Sequence, residues 1–442
     1  MDSMLYGSDV VLNTNSSLEL SGSVISTGNH NALSHFNPEK SLQHGININA
    51  ADLTVYGKLI TKGKEGEETE VIVPGINYGY VGSQKLDKDK VANKDQAITS
   101  QGMAHAYQLK TKTAKTGNIT ISTMENTLDD GTYMSGSANL LYGNYKKGKI
   151  ETKGNLTVSS SGNILVDSDL KIAGSINLSG AEAPDGFGDA YVNDITLDLS
   201  NIGGELEGND KIKALHAFID AHTTEATGIY GNTAGKRPMK ITFNLWDNIR
   251  GDLNFDKNDL TEGSTTVKMA DKLKNLYVES AGTIYKENNI RNIIYTWISN
   301  AEELNSLQRV AENLNDGRDA LSYNYILKND IDASGLVNAD GNSTYNTIGS
   351  GTKAFTGTFD GDGHTIVGLQ AKGGIFGKLG SGAVVKNINI ASSVFTDNNT
   401  SDSVGAVAAE NNGGSISGIS GYGNTIKGSG GSIGGLVAVS YT

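Results

Sequence analysis

Over roughly the first 200 positions, apolar and polar residues alternate in runs only three residues long. Leu18-Glu19-Leu20, Ile46-Asn47-Ile48, Leu53-Thr54-Val55, Ile119-Thr120-Ile121, Leu156-Thr157-Val158, Leu170-Lys171-Ile172, Ile176-Asn177-Leu178 and Ile195-Thr196-Leu197 all follow this pattern, and Val10-Val11-Leu12 opens the series. A period of two places successive side chains on opposite faces, so each run predicts a very short strand with one buried face. Between Gly154 and Gly180 the runs recur every six to eight residues, each closed by Gly, Ser, Asn or Asp. Sandwich strands are longer, about five or six residues, and more widely spaced. Strands this short gain stability when each pairs with a copy above and a copy below, and the expected fold is all-β, a parallel β-helix.

Three segments depart from the alternation. From Asn209 to Ala221, Ile212, Leu215, Phe218 and Ile219 fall at helical spacing, which predicts a short amphipathic helix. A second helix is expected from Glu302 to Leu314. Leu304, Leu307, Val310, Ala311 and Leu314 line one face, Ser299 and Glu302 form a capping box, and Asp316-Gly317 ends the helix. Ile241-Thr242-Phe243-Asn244-Leu245 reads as a strand, whereas the text from there to about Tyr295 fits no single period. The charged stretches Gly63 to Glu68 and Leu86 to Lys90 are expected to be solvated excursions, and Ala181 to Gly186 a turn. The predicted organisation is a β-helix over 1–205, a mixed insertion or extra-helical subdomain over 206–296, and a helix lead-in followed by β-helix coils over 297–442.

The last third carries an internal repeat. Gly374 recurs as Gly405 after 31 positions and as Gly435 after a further 30, while Val385, Ile388 and Phe395 recur as Ile416, Ile419 and Ile426. Repeats of 20 to 50 residues mark solenoids, propellers or arrays. The segment from Gly373 to Gly435 holds 16 glycines in 63 residues, about twice the density of the whole chain with its 56 in 442, which favours tight corners between short strands. No Lys-Ser/Thr pair and no helix start follows these glycines, so they are read as corners and not as a phosphate cradle. Ile375, Val407 and Leu436 are expected to share one apolar core.

Composition narrows the function. With no cysteine, disulfides, thiolate metal sites and a Cys nucleophile are excluded. A net charge of -13 argues against nucleic acid or an anionic membrane as partner. No apolar run reaches the 18 residues of a transmembrane helix, and Met1 to Tyr6 has neither the basic start nor the apolar core of an export signal. The last residues stop inside a repeat, which leads us to expect a piece of a longer chain.

The order of helix 302–314, Tyr325-Ile326-Leu327-Lys328-Asn329-Asp330-Ile331-Asp332, Ile348-Gly349, Phe355-Thr356-Gly357-Thr358-Phe359-Asp360-Gly361-Asp362-Gly363-His364-Thr365-Ile366 and Gly374-Ile375-Phe376-Gly377 resembles the lead-in and repeats of GLUG-motif proteins. The resemblance spans about residues 297–442, a third of the chain. GLUG motifs occur in large bacterial surface proteins, among them filamentous-haemagglutinin-like adhesins and some secreted peptidases. The first 200 residues are similar in style to filamentous-haemagglutinin passengers. This implies a right-handed β-helix exported by a two-partner or autotransporter route, with an outer-membrane transporter as partner in the full-length parent and the bacterial surface or exterior as destination.

Candidate chemistry is sparse. The histidines are His30, His35, His44, His105, His216, His222 and His364, and none lies in an H-E-x-x-H zinc motif. His216 and His222, six apart on the first helix, are expected in surface or capping roles. Asp360-Gly361-Asp362-Gly363 and the series Asp252, Asn254, Asp256, Asp259 resemble calcium loops in part. The twelfth position, Ala371 in one and Gly263 in the other, lacks the bidentate glutamate, so turn formation is expected at both. Tyr78-Gly79-Tyr80 and Tyr323-Asn324-Tyr325 are read as strand-edge packing, with stacking on sugar rings as the functional alternative. No catalytic, metal or cofactor residue is assigned. The expected function is a non-enzymatic adhesin passenger or stalk that engages a receptor or glycan on a host or neighbouring cell. The alternatives are a carbohydrate-active β-helix enzyme, a lyase or tailspike-like hydrolase, whose converging carboxylates would do acid-base work, and the stalk of a contact-dependent toxin.

Overall fold

A computed structural model describes residues 4–7, 10–26, 45–62, 68–73, 107–112, 117–180, 194–233, 238–247, 251–313, 319–396, 402–429 and 431–441. The protein is mostly β, its sheets are predominantly parallel, and the chain divides into two compact units. The predicted excursions at 63–67 and 86–90, the turn at 181–186, Tyr78 and Tyr80, His30, His35, His44 and His105, and the helix end at 314–317 lie outside the described residues.

The first unit comprises Met1–Leu197, Asn201–Met239 and Asn275–Tyr285. Here the chain visits three parallel sheets in a fixed order, five times over. The first sheet holds Met4–Gly7, Ser23–Ser26, Lys58–Thr61, Lys149–Thr152 and Asp169–Ile172. The second holds Val10–Asn13, Ile46–Ala50, Ile119–Thr123, Leu156–Ser160 and Ile176–Gly180, then Ile229–Thr233 and Val278–Ser280. The third holds Ser17–Leu20, Asp52–Val55, Ala138–Leu141, Ile164–Asp167 and Ile195–Asp198.

Register explains why the alternation is so strict. Pairing aligns Ile46, Ile119, Leu156, Ile176 and Ile229 in one inward row of the second sheet, and all are fully buried. Val24, Leu59, Ile150 and Leu170 form the equivalent row of the first sheet. A slip of one residue would turn a whole row outward, at about 1.5–3 kcal/mol for each large apolar side chain exposed. The rows tolerate unequal passes because extra residues leave at the corners. Leu156 and Ile176 pair across 20 positions, Ile46 and Ile119 across 73. Where an inward position is polar it is satisfied: the buried Thr61 hydroxyl donates to the Gly117 carbonyl at 2.7 Å.

Helix α1, Gly208–Ala221, buries Leu215, Phe218 and Ile219 as its spacing predicts. His222 caps its C-terminus, donating its backbone N–H to Ile219, and its ring packs 4.3 Å from that of Phe218. The expected surface role for His216 is wrong. It is 2% exposed, because it follows Leu215 on the face that Phe218 and Ile219 also bury.

The second unit comprises Asp198–Ser200, Lys240–Lys274 and Lys286–Thr442. Its longest parallel sheet runs through Lys240–Phe243, Ile294–Ile298, Asn324–Leu327, Thr358–Asp360, Val384–Lys386 and Ser415–Ser417. The repeat is the sequence image of pairing: Val385 aligns with Ile416 and Phe395 with Ile426, both 31 apart. In the last pass the step shortens to 29, so Gly405 pairs with Gly434, not with the expected Gly435. The role of these glycines also differs from the expected corner. A Cβ on Gly374 would stand 2.6 Å from the Gly405 carbonyl oxygen, so close stacking of backbone excludes a side chain there. Positive φ belongs to Gly373, at 87°. Ile375 and Val407 are fully buried, whereas Leu436 is 48% exposed, since Val437–Tyr441 beside it has a paired strand on one side only.

An aromatic cluster fills this unit, with Phe376 centred 5.1 Å from Phe355 and 5.4 Å from Phe359. Between these parallel strands lie two hairpins, Trp246–Asp247 with Asp252–Leu253 and Leu260–Glu262 with Thr265–Val267, and the short helix α2, Met269–Leu273. Helix α3, Ala301–Asn313, buries Leu304, Leu307 and Val310. Its capping box is one residue later than the spacing predicts. Asn300 Oδ1 accepts the Glu303 N–H at 2.9 Å, and the Glu303 carboxylate reaches back to the Ser299 N–H at 2.7 Å.

Candidate functional site

The second unit contains a cleft of about 260 Å³ in the stretch whose pattern fits no single period. Four capped or hydrogen-bonded pieces make its walls. Asn254 starts the 3-10 turn Phe255–Asn258 by accepting the Asp256 N–H at 2.9 Å, which sets Asp256 at the rim. Asp259 Oδ1 accepts the Met269 N–H at 2.7 Å and so fixes α2, whose Ala270 and Leu273 line the cleft. The turn Glu287–Asn292 brings Glu287, Ile290 and Arg291, with Glu287 in the left-handed region at φ 49°. Asn324 ties the fourth wall down by donating to the Arg291 carbonyl at 2.8 Å and accepting the Thr358 N–H at 3.2 Å, and Tyr323 beside it lines the opening.

The floor is apolar and the rim carries both signs of charge. Leu273 and Ile290 are buried, while Asp256, Glu287, Lys268, Lys274 and Arg291 are exposed. Three residues singled out by sequence, Asp256, Asp259 and Tyr323, therefore meet in one place. They do not meet as a calcium loop, because Asn254 and Asp259 spend their acceptors on backbone caps and Asp252 pairs with Arg309 at 2.8 Å. Tyr325, the partner of Tyr323 in the Tyr-Asn-Tyr triplet, is core, fully buried with its hydroxyl donated to the Ala320 carbonyl at 2.6 Å. Nothing in the sequence pattern marks Lys268 and Lys274, which flank α2, or Arg291, which comes from a separate turn, as neighbours.

The other partial calcium loop, Asp360 to Gly363, proves to be an ion cluster. Asp360 is fully buried and its Oδ2 forms ion pairs with Lys240 at 3.2 Å and Lys386 at 3.0 Å. Its Oδ1 accepts from the Asp362 N–H at 3.0 Å and Asn387 at 3.1 Å, and Asp362 pairs with Lys240 at 2.9 Å. Burial pushes the Asp360 carboxyl up, but the two ammonium groups outweigh it and hold it below its usual range. Two lysines thus occupy the place a cation would take, and the turn reading is met by Asp362 and Gly363, both at positive φ. His364 stands 3.3 Å from Asp330.

Carboxylates also gather on the first sheet of the first unit. Glu151 lies 2.8 Å from Lys149 and 3.9 Å from Lys171; burial raises its carboxyl, but the lysines prevail and lower it. Asp169 is raised by burial, against a hydrogen bond from the Gly203 N–H at 2.9 Å. Register places Lys149 opposite Asp169 and Glu151 opposite Lys171, a charge ladder that stabilises neighbouring strands. Among the described residues no group of three or more His, Asp or Glu is placed to hold a metal, and no helix is long and apolar enough to cross a membrane.

Comparison with known proteins adds one partial likeness. Halomucin of Haloquadratum walsbyi is 36% identical over 105 residues, which cover 21% of this chain and 1% of Halomucin. No family model matches the chain, and no solved structure matches it.

Proposed function

We propose that the chain is a right-handed parallel β-helical passenger of a bacterial surface adhesin, one that binds a receptor or glycan without transforming it. The observation that carries this reading is the repeated visit to three parallel sheets in one order, with inward apolar rows in register. Parallel crossovers are right-handed in about 98% of cases, which supports the hand. The GLUG resemblance over 297–442 supports the adhesin class and, with it, export through an outer-membrane transporter to the cell surface. The likeness to Halomucin, a mucin by name, supports the same exterior placement. Such a stack suits display because its length grows pass by pass and is not limited by one compact core.

The test is adherence of beads coated with the purified chain to a panel of bacterial and host cells, with the same chain incubated separately with polysaccharides. Saturable adherence without chemical change is expected. Release of reducing ends or unsaturated products, abolished by replacing a single carboxylate, would overturn the reading in favour of an enzyme.

A further inference from the structure

We infer that the cleft of the second unit is a subsite for one neutral pyranose ring at the end of a glycan. The inference rests on reading the chain as a surface-binding protein and gives that reading a ligand class and an address.

Size comes first. At about 260 Å³ the cleft falls just below the roughly 300–1,000 Å³ of sites for drug-sized ligands, so it takes one ring and not a chain. The lining is sided in the way a sugar is sided. Leu273 and Ile290 give a buried apolar floor for the C–H face of a ring, and the half-buried aromatic Tyr323 extends that surface at the opening. Exposed Asp256 supplies acceptors at the rim, while Lys268 and Arg291 supply donors, so hydroxyls that both give and take hydrogen bonds find partners of both kinds. Charge decides against the other small ligands. Asp256, Asp259 and Glu287 oppose an anion, Lys268 and Arg291 oppose a cation while Lys274 is held by Asp271 at 2.7 Å, and the chain's net charge of -13 repels polyanions. An apolar peptide side chain would fill the floor but offer Asp256, Lys268 and Arg291 no hydrogen-bond partner of its own. A neutral polyol uses both. Rigid local capping by Asn254, Asp259 and Asn324 holds the walls in place before a ligand arrives, which lowers the ordering cost of binding.

The experiment uses the full chain on a glycan array, followed by saturation-transfer NMR with a panel of methyl hexopyranosides. The expected result is signal for glycans ending in a neutral hexose and transfer to the matching methyl glycoside. Tyr323→Ala is expected to weaken binding about tenfold, with Tyr323→Phe close to wild type because the ring is kept. Arg291→Ala and Asp256→Ala, at exposed positions that leave the fold intact, are expected to weaken it as well. Adherence to cells that none of these substitutions changes would overturn the subsite while leaving the adhesin reading standing. Absence of both adherence and glycan binding would remove both. Preferential binding of sialylated or sulfated glycans, or of peptides over sugars, would overturn the assignment of a neutral ring.

Discussion

Replacing Asp360 by alanine tests a heavily desolvated charge cluster of the second unit. The carboxylate is fully buried between Lys240, whose side chain is 7% exposed, and Lys386, at 26%. Without it two ammonium groups face each other and lose their shared buried carboxylate, while the Asp362 contact at 2.9 Å from Lys240 survives. Breaking a buried pair by removing one partner costs about 3–5 kcal/mol, and the surviving Asp362 contact places this case near the lower end, about 3 kcal/mol. A domain stability of about 5–15 kcal/mol makes that a large fraction. Both tryptophans of the chain, Trp246 and Trp297, lie in this unit, so urea denaturation followed by their fluorescence reads the second unit alone. With a slope of about 1–3 kcal/mol/M the midpoint is expected to fall by about 1–3 M. The triple change Lys240→Met, Asp360→Leu, Lys386→Met is expected to recover most of the loss, since an apolar replacement of the whole cluster removes the desolvation cost along with the attraction. Acid provides a second arm. The folded carboxyl lies below its ordinary 3.8, so its contribution is complete above that pH and is lost as pH falls through the lower folded value. A midpoint shift equivalent to less than about 1 kcal/mol, the size of a surface pair, would refute the reasoning.

Val407→Asp puts a carboxylate into a fully buried row position, at a cost of several kcal/mol. Limited proteolysis is expected to cut the C-terminal passes and spare the first unit, and joint loss of both would contradict nearest-neighbour stacking. Glu303→Ala removes the reciprocal cap of α3 and is expected to cost about 0.5–2 kcal/mol by urea melt; an unchanged midpoint would mean the helix is held by packing alone. His222 is fully buried and desolvation lowers its pKa, so the unfolded chain takes up a proton before the folded one does. Stability is expected to be full above about pH 6.5 and to fall as pH drops below it. His222→Leu should flatten that slope between pH 7 and 5, and equal slopes in both proteins would rule His222 out as the cause.

What the chain discloses before folding follows from where each interaction lies in sequence. The inward rows were legible because alternation is local: Ile46-Asn47-Ile48 announces a strand with one buried face without reference to its partners at Ile119 and Ile121. The 31-residue step was legible because a parallel stack repeats its environment once per pass, so Val385 and Ile416 meet like neighbours. Register itself is a tertiary property, so the repeat points to Gly435 where the ladder pairs Gly434, whereas Leu436 lies opposite Val407 as expected and is exposed because the strand beside it is paired on one side only. The capping box slipped by one residue for a similar reason, since Ser299-Asn300 and Glu302-Glu303 offer two overlapping boxes and only the placement of Leu304 and Leu307 on the packed face selects Asn300 with Glu303. Helical spacing names a face but not its width, and His216 falls inside the packed face. The cleft was illegible as a unit. Asp256, Arg291 and Tyr323 are separated by 35 and 32 positions, and their meeting depends on caps such as Asp259 on Met269 that no periodicity reports.

The illegibility of the cleft has a physical cause. On an in-register parallel ladder each outward position sits beside its counterparts on the paired strands, so like environments line up along the outer face. Lys149 and Lys171 flank Glu151 along that face, at 2.8 and 3.9 Å, with Asp169 in register opposite Lys149. The cleft is lined largely by elements that leave the ladder between Leu245 and Ile294, where two hairpins, α2 and two 3-10 turns interrupt the parallel strands, joined by Ser322, Tyr323 and Asn324. The ladder supplies rigidity and the departure from it supplies shape, a division in which binding groups sit on irregular segments held by a regular frame. Substitutions should separate along the same line: changes in the rows lower stability and leave recognition intact, and changes at the cleft rim alter recognition and leave the melt where it was.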